Sequence, residues 1–386
     1  MILPKGPIRG PVDQKKRSGM RGSAGLLLLA LLCGLACANP SASNAPCREH
    51  YGRSCASRNQ YIRGAADPSD GSRPLLYVRI QGELAERGKA FVFLHGVQGD
   101  GAWFQGQLDE FCKAGNLAVS IDSRGTGFSD HVGPYDPFTR AADVYEVMKA
   151  LRIERPAVMV GWSYGGPAMQ AFYNAHPANV SALVLVDTTC SYVITDEFPF
   201  AINPNFRLAL VAGCAADYVA CTNTAIDARI LSDRINVSAF PSLRNDAARL
   251  DEVRDKAKRI GVQSGRDTIV GEYSAFPLFD NHARLGEIAV PVLIVHGQND
   301  TIFNLSVPRY VHSKIPNSRL VIFDGKGHAS FALNVRLFNE VLRDFVSGAA
   351  GPQAAEVHVG SYAEWDIAAS VPDPEDDGYT CVDRAQ

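Results

Sequence analysis

The chain has 386 residues, of which 46% are hydrophobic and 20% charged, and its formal net charge is −3. These values exclude a disordered chain, and without a basic excess no nucleic-acid partner is expected. Its 34 glycines and 22 prolines exclude collagen-like and low-complexity chains, and no repeat of roughly 20–50 residues marks a solenoid or propeller. The length suits one large domain with an insertion, or two domains.

The first segment reads as a targeting signal. Residues 1–23 carry Lys5, Arg9, Lys15, Lys16, Arg17 and Arg21 against the single acid Asp13. An apolar run over about 24–38 follows, too short to span a bilayer of about 30 Å but suited to a signal-peptide core. Ala36-Cys37-Ala38 fits a small-x-small cleavage site. Gly34-Leu35-Ala36-Cys37 also resembles a lipoprotein box, in which a lipid on Cys37 would attach the chain to a membrane. Met20 offers an alternative start. Export is the expectation, as a secreted, periplasmic or lipid-anchored protein, and residues 1–38 are set apart from the fold.

Export makes disulfides admissible. Nine cysteines less Cys33 and Cys37 leave seven, so at least one is free or pairs between chains. Cys47 with Cys55, and Cys214 with Cys221, are the short-loop candidates. Cys112 is expected as a buried thiol in a helix. A metal reading of Cys47, His50 and Cys55 lacks a further ligand nearby.

Residues 39–73 are rich in Ser, Asn, Arg and Gly and read as an N-terminal extension. Strands are expected at 75–80, 90–94, 117–121, 157–160, 182–186, 292–295 and 319–323. They are short, apolar and β-branched, as in a parallel sheet buried on both faces. Helix-length segments lie between them at about 102–114, 138–151, 165–176, 305–315 and 330–347, so the class is α/β. About 188–288 breaks this rhythm. Its stretches 225–233 and 246–260 look helical, and its length reads as a cap inserted between two late strands. Residues 349–386 read as an acidic C-terminal extension.

Three strand ends carry chemistry. The strand at 157–160 runs into Gly161-Trp162-Ser163-Tyr164-Gly165, a Gly-x-Ser-x-Gly turn opening a helix. Small residues two before and two after the serine are needed in so sharp a turn. The strand at 90–94 ends in His95-Gly96-Val97, so the N–H groups of Val97 and Tyr164 could form an oxyanion hole, with His95 a shaping residue. After the strand at 292–295 comes Asp300, and after that at 319–323 comes His328. The chain order Ser163, Asp300, His328 suits a nucleophile, an orienting acid and a base. Asp187 and Asp324 are the rival acids. Asp187 can equally serve backbone groups at its strand end, and Asp324 lies too near His328 in sequence.

These motifs resemble the α/β-hydrolase superfamily over about 75–348. The stretch Asp122-Ser123-Arg124-Gly125-Thr126-Gly127-Phe128-Ser129 is similar to that family's D-x-R-G-x-G-x-S loop, with Asp122 and Arg124 tying turns beneath the site. A dinucleotide reading of the same glycines fails at Asp130, where the third glycine would stand. The resemblance implies a mostly parallel doubly wound sheet, a hydrolase domain over 74–348 with its cap at about 188–288, a serine hydrolase activity, and neither metal nor organic cofactor. The partner expected is a small-molecule substrate; the oligomeric state is not legible. The first reading is an esterase for a small hydrophobic ester or lactone. The second is an aminopeptidase of the proline iminopeptidase type, with Glu197, Asp217, Asp227 or Glu272 binding a substrate ammonium. A third is a silent hydrolase fold used as a binding module. The aromatic supply of the cap (Phe198, Phe200, Phe206, Tyr218, Phe240, Tyr273, Phe276, Phe279) suits a hydrophobic group.

Overall fold

The computed structural model describes residues 55–85, 87–202, 204–229, 244–348, 356–360 and 382–384. The apolar run 24–38, Cys37, Cys47, His50, Phe240 and Cys381 lie outside them.

Among the described residues, ten strands form one sheet: β1 (Ser57–Arg63), β2 (Leu75–Gln81), β3 (Ala90–Leu94), β4 (Leu117–Ile121), β5 (Ala157–Trp162), β6 (Val180–Val186), β7 (Val292–Gly297), β8 (Ser318–Phe323), β9 (Val357–Val359) and β10 (Val382–Arg384). Their order is β10-β1-β2-β4-β3-β5-β6-β7-β8-β9. Only the β1–β2 and β2–β4 pairings are antiparallel. All seven expected strands are present.

Nine helices accompany them among the described residues: α1 (Gln105–Lys113), α2 (Pro137–Ala150), α3 (Gly165–Ala175), α4 (Pro204–Ala216), α5 (Tyr218–Arg229), α6 (Arg244–Gln263), α7 (Gly265–Ala275), α8 (Ser306–Lys314) and α9 (Val335–Ser347). Each central strand feeds two cores, because alternate side chains leave opposite faces. Val158, Val160 and Trp162 join Leu108 and Phe111 of α1 and Phe338 and Leu342 of α9. Ala157 and Met159 join Val144 and Val147 of α2, Met169 and Phe172 of α3, and Val307 and Val311 of α8. This two-sided burial explains why the strands read as unbroken apolar runs.

Four expectations change. Residues 57–63 are a sheet strand and not part of an extension. β1 is polar (Ser-Arg-Asn-Gln-Tyr-Ile-Arg) and only Asn59 and Ile62 are buried, so it lacks the pattern that marks a strand. At the other end, β9 and β10 pair with β8 and β1, so the C-terminal segment also contributes to the sheet. Cys112 is bridged to Cys55, not free, and Cys55 is thereby unavailable to Cys47. The pairing joins residues 57 apart in sequence, which spacing cannot reveal. Cys214 and Cys221 are bridged, linking α4 to α5, and Cys190 is a buried free thiol. The last helix starts at Val335, five residues later than expected, because residues 327–334 form turns around His328.

Candidate active site

The site lies where β3, β5, β7 and β8 end. After Trp162 the chain turns through Ser163, which holds a left-handed φ of 50°, and enters α3. A non-glycine residue there is strained, and the neighbours hold it in place. The Ser163 N–H donates to Val186 O at 3.0 Å, and Ser163 O accepts from Gly166 N at 2.9 Å. A Cβ at Gly161 would sit 2.5 Å from Gly165 O, so the turn cannot close around a larger residue. One on Gly96 would sit 2.7 Å from Ser163 Cβ, which brings the loop after β3 directly against the serine.

Ser163, His328 and Asp300, expected from three separate strand ends, meet in one line. His328 Nε2 is 2.9 Å from Ser163 Oγ, and His328 Nδ1 is 2.8 Å from Asp300 Oδ2. Asp300 is fixed through its other oxygen, which accepts from Ile302 N at 2.7 Å and Phe303 N at 3.1 Å. The indole N–H of Trp162 donates to His328 O at 2.8 Å, anchoring the histidine's backbone. Burial alone would raise the Asp300 carboxyl. The adjoining His328, the hydrogen bond to it, His296 and the Ile302 N–H outweigh burial and hold the group below the ordinary carboxylate range.

Asp187 lies nearby but faces other partners. Its Oδ1 accepts from Gly297 N at 2.8 Å, and its Oδ2 accepts from Ser330 N at 3.0 Å and Ser330 Oγ at 2.8 Å. Burial, then the charge of Asp300, push its carboxyl well above the usual range. Asp324 sits at the surface beside His358. Asp187, His296 and Asp300 bring potential metal-ligating atoms within 4.8 Å of one another. The two acids are engaged as described, and His296 Nε2 with Phe303 O at 2.8 Å, while among the described residues its Nδ1 has no partner.

The oxyanion candidates differ in their surroundings. No hydrogen bond among the described residues occupies the backbone N–H of Val97 or of Tyr164. His95 is wholly buried, donating from Nδ1 to Gly96 O at 2.7 Å and accepting at Nε2 from Ser123 N at 3.0 Å. Burial, then the charge of Arg140, hold its imidazole well below its usual value. A neutral ring bonded on both sides shapes the loop and is not available as a base. Beneath it, Asp122 pairs with Arg79 and accepts from Gly101 N and Phe128 N, while Arg124 grips Asp143 through two nitrogens at 2.8 and 2.7 Å.

Ser163 and His328 open into a cavity of about 440 Å³. Ala209, Leu210 and Gly213 of α4, Ala220, Cys221, Thr224, Ala225 and Ala228 of α5 and Tyr273 of α7 line it. Of the expected aromatics, Tyr273 and Phe276 reach it, whereas Phe198 and Phe279 are packed into the core. The sequence alone missed Tyr192, which stacks on Phe276 at 4.1 Å, and Ile302 and Phe303 just after the acid. Among the four acids considered for an ammonium, only Asp217 borders the cavity, and it also caps α5 by accepting from Ala220 N at 3.0 Å. Glu272 is fully buried against Arg140, and Asp227 pairs with Lys258.

Residues 89–335 match the family model described as alpha/beta hydrolase fold. The chain is 26% identical over 235 residues to a pimeloyl-[acyl-carrier protein] methyl ester esterase of Neisseria meningitidis, covering 59% of this chain and 82% of that protein. It is 28% identical over 287 residues to a putative 2-succinyl-6-hydroxy-2,4-cyclohexadiene-1-carboxylate synthase of Bacillus subtilis, covering 72% and 96%. Among solved structures, an esterase from Exiguobacterium antarcticum aligns with a TM-score of 0.64 at 23% identity, covering 75% of this chain and 99% of that one. An enol-lactonase from Burkholderia xenovorans aligns at 0.60 and 19%, covering 71% and 97%. With the matched model spanning most of the chain and the sheet order and serine turn as described, the chain belongs to the α/β hydrolase fold family.

Proposed function

We propose that this hydrolase cleaves a small hydrophobic carboxylic ester or lactone through an acyl-enzyme on Ser163. The observation that carries the reading is the continuous line Ser163 Oγ–His328 Nε2–Nδ1–Asp300 Oδ2, opening into a largely apolar cavity. His328 takes the Ser163 proton as Oγ attacks the carbonyl carbon, and Asp300 steadies the imidazolium that forms. Charge developing on the carbonyl oxygen is met by the N–H groups of Val97 and Tyr164. The tetrahedral intermediate collapses, His328 protonates the departing alkoxide, and the acyl group remains on Ser163. Water, deprotonated by His328, then attacks the acyl-enzyme and releases the acid.

The relatives support an ester substrate, since one is named a methyl ester esterase and one aligned structure is an enol-lactonase. The cavity's apolar lining supports a neutral acyl group. Of the four acids considered for an aminopeptidase, only Asp217 borders the cavity, and Glu272 and Asp227 are held in ion pairs. A panel of short and medium acyl esters and lactones against aminoacyl amides tests the choice. Ester turnover that disappears in Ser163→Ala is expected. Preferential cleavage of aminoacyl amides would favour the aminopeptidase, and failure of a fluorophosphonate probe to label Ser163 would favour a binding module.

The reading includes export, through the apolar run 24–38 and its basic flank, with or without a lipid on Cys37. Bridges such as Cys55–Cys112 and Cys214–Cys221 suit an oxidising compartment.

A further inference from the structure

Gln98, next to the proposed oxyanion donor Val97, is a meeting point for the loop after β3 and three helices of the β6–β7 insertion. Its backbone is in the left-handed region at φ 58°, a conformation that a non-glycine residue keeps only under restraint. Two hydrogen bonds from the insertion restrain it. The Gln98 N–H donates to Glu272 Oε2 of α7 at 3.2 Å. The Gln98 side-chain amide donates to Thr222 Oγ1 of α5 at 3.2 Å. Gly261 of α6 lies alongside, where a Cβ would be in ordinary contact with Cβ and O of Gln98 at 3.5 Å and 2.6 Å from Thr222 Cγ2.

Glu272 is itself held. Its other oxygen forms an ion pair with Arg140 of α2, and both side chains have 0% exposure. The Arg140 guanidinium lies 4.7 Å from the centroid of the Tyr164 ring, a cation–π contact with the residue proposed as the second oxyanion donor. Among the described residues, the Nε and Nη1 atoms of Arg140 have no hydrogen-bond partner. A buried guanidinium bonded on one side only is costly to keep for stability alone. One ion pair thus touches both halves of the proposed oxyanion hole, through the backbone beside Val97 on one side and the ring of Tyr164 on the other. Nothing in the bond line from Ser163 to Asp300 involves it.

We propose that Arg140 and Glu272 are positioning residues which set the oxyanion hole, so that packing of the insertion against the sheet is read at the reacting carbonyl and not only at the acyl pocket. The proposal rests on the serine hydrolase reading above. Glu272 aims the Val97 N–H by fixing the next peptide unit, and Arg140 fixes Tyr164. Neither residue is among those lining the cavity, so loss of the pair is expected to change transition-state stabilisation and leave ground-state binding in place.

The test is ester hydrolysis by Glu272→Gln and by the double variant Arg140→Met/Glu272→Leu, beside wild type and Ser163→Ala. Apolar replacement of a buried ion pair often preserves stability, so the double variant separates positioning from folding. Its kcat should fall by roughly 10- to 100-fold with KM changed less than about threefold, and fluorophosphonate labelling of Ser163 should slow in parallel. Glu272→Gln keeps an oxygen able to accept from Gln98 N–H and should lose less than the double variant. A folded double variant with wild-type kcat overturns the proposal. If the double variant does not fold, wild-type kcat and labelling rate in Glu272→Gln overturn it. Wild-type protein with no Ser163-dependent turnover would fail the underlying reading instead, a result recognisable before any variant is compared.

Discussion

At the scale of single residues, two buried carboxylates stand near His328 and only one is bonded to it. Asp300 meets Nδ1 at 2.8 Å, while Asp187 serves Gly297 and Ser330. Ser163→Ala and His328→Ala should each lower kcat by several orders of magnitude, and Asp300→Asn by less. Asp187→Asn should keep most of the rate while losing stability, since its amide nitrogen cannot accept from Ser330. Steady-state kinetics on folded variants checks all four. If Asp187→Asn is dead and Asp300→Asn active, the acid has been misassigned. The two carboxyls also have opposite pH signatures. Asp300 is shifted down, so its contribution to stability is present above its unfolded pKa and is lost as pH falls through the folded one. Thermal melts should show acid destabilisation of wild type weakened in Asp300→Asn. Asp187 is shifted up, so its contribution is present below its unfolded pKa and fades as pH rises towards the folded one.

At the scale of elements, α4 and α5 give the cavity its size because they turn small residues towards it. A Cβ on Gly213 would meet nothing within 4 Å, so a larger side chain there projects into the cavity without displacing the fold. Gly213→Leu should shift preference towards shorter acyl chains. The expected loss in kcat/KM is roughly 10-fold or more on the longest accepted ester, with little change on acetyl esters, since each excluded methylene is worth about 1–3 kcal/mol. A chain-length series with unchanged preference would mean that the acyl group lies elsewhere. The Cys214–Cys221 bridge joins these helices, and Cys221 lines the cavity, so the bridge shapes one wall of it.

For the molecule as a whole, Cys55–Cys112 ties the segment just before β1 to α1 across a separation of 57 residues. Replacing Cys112 with Ser should destabilise the protein by about 2–4 kcal/mol, read as a lower denaturation midpoint, without altering KM. An unchanged midpoint would mean that the bridge adds nothing to folding. Intact mass of protein from its own host tests export. Loss of about the first 36–38 residues is expected, and added diacylglycerol mass on Cys37 would identify a lipid anchor. Retention of residue 1 or of Met20 as the first residue would reject export.

The central strands and the residues proposed to react were legible in the sequence for a physical reason. Strands buried on both faces must be continuously apolar, and a nucleophile on a strand-to-helix turn demands glycines on both sides, so Ser163 announces itself locally. Asp300 and His328 follow because each directly succeeds such a strand. Strands near the margin of the sheet escape the same logic, since β1, second in the order, buries only Asn59 and Ile62 and carries no apolar alternation. Tertiary structure alone decided the contacts between distant segments. It joined Cys55 to Cys112, set Glu272 against Arg140 rather than against a substrate, and brought the insertion onto Gln98. Local pattern encodes which face of an element avoids water. Which two buried groups meet depends on how those faces pack, and residues 132 apart carry no signal of that in their own neighbourhoods.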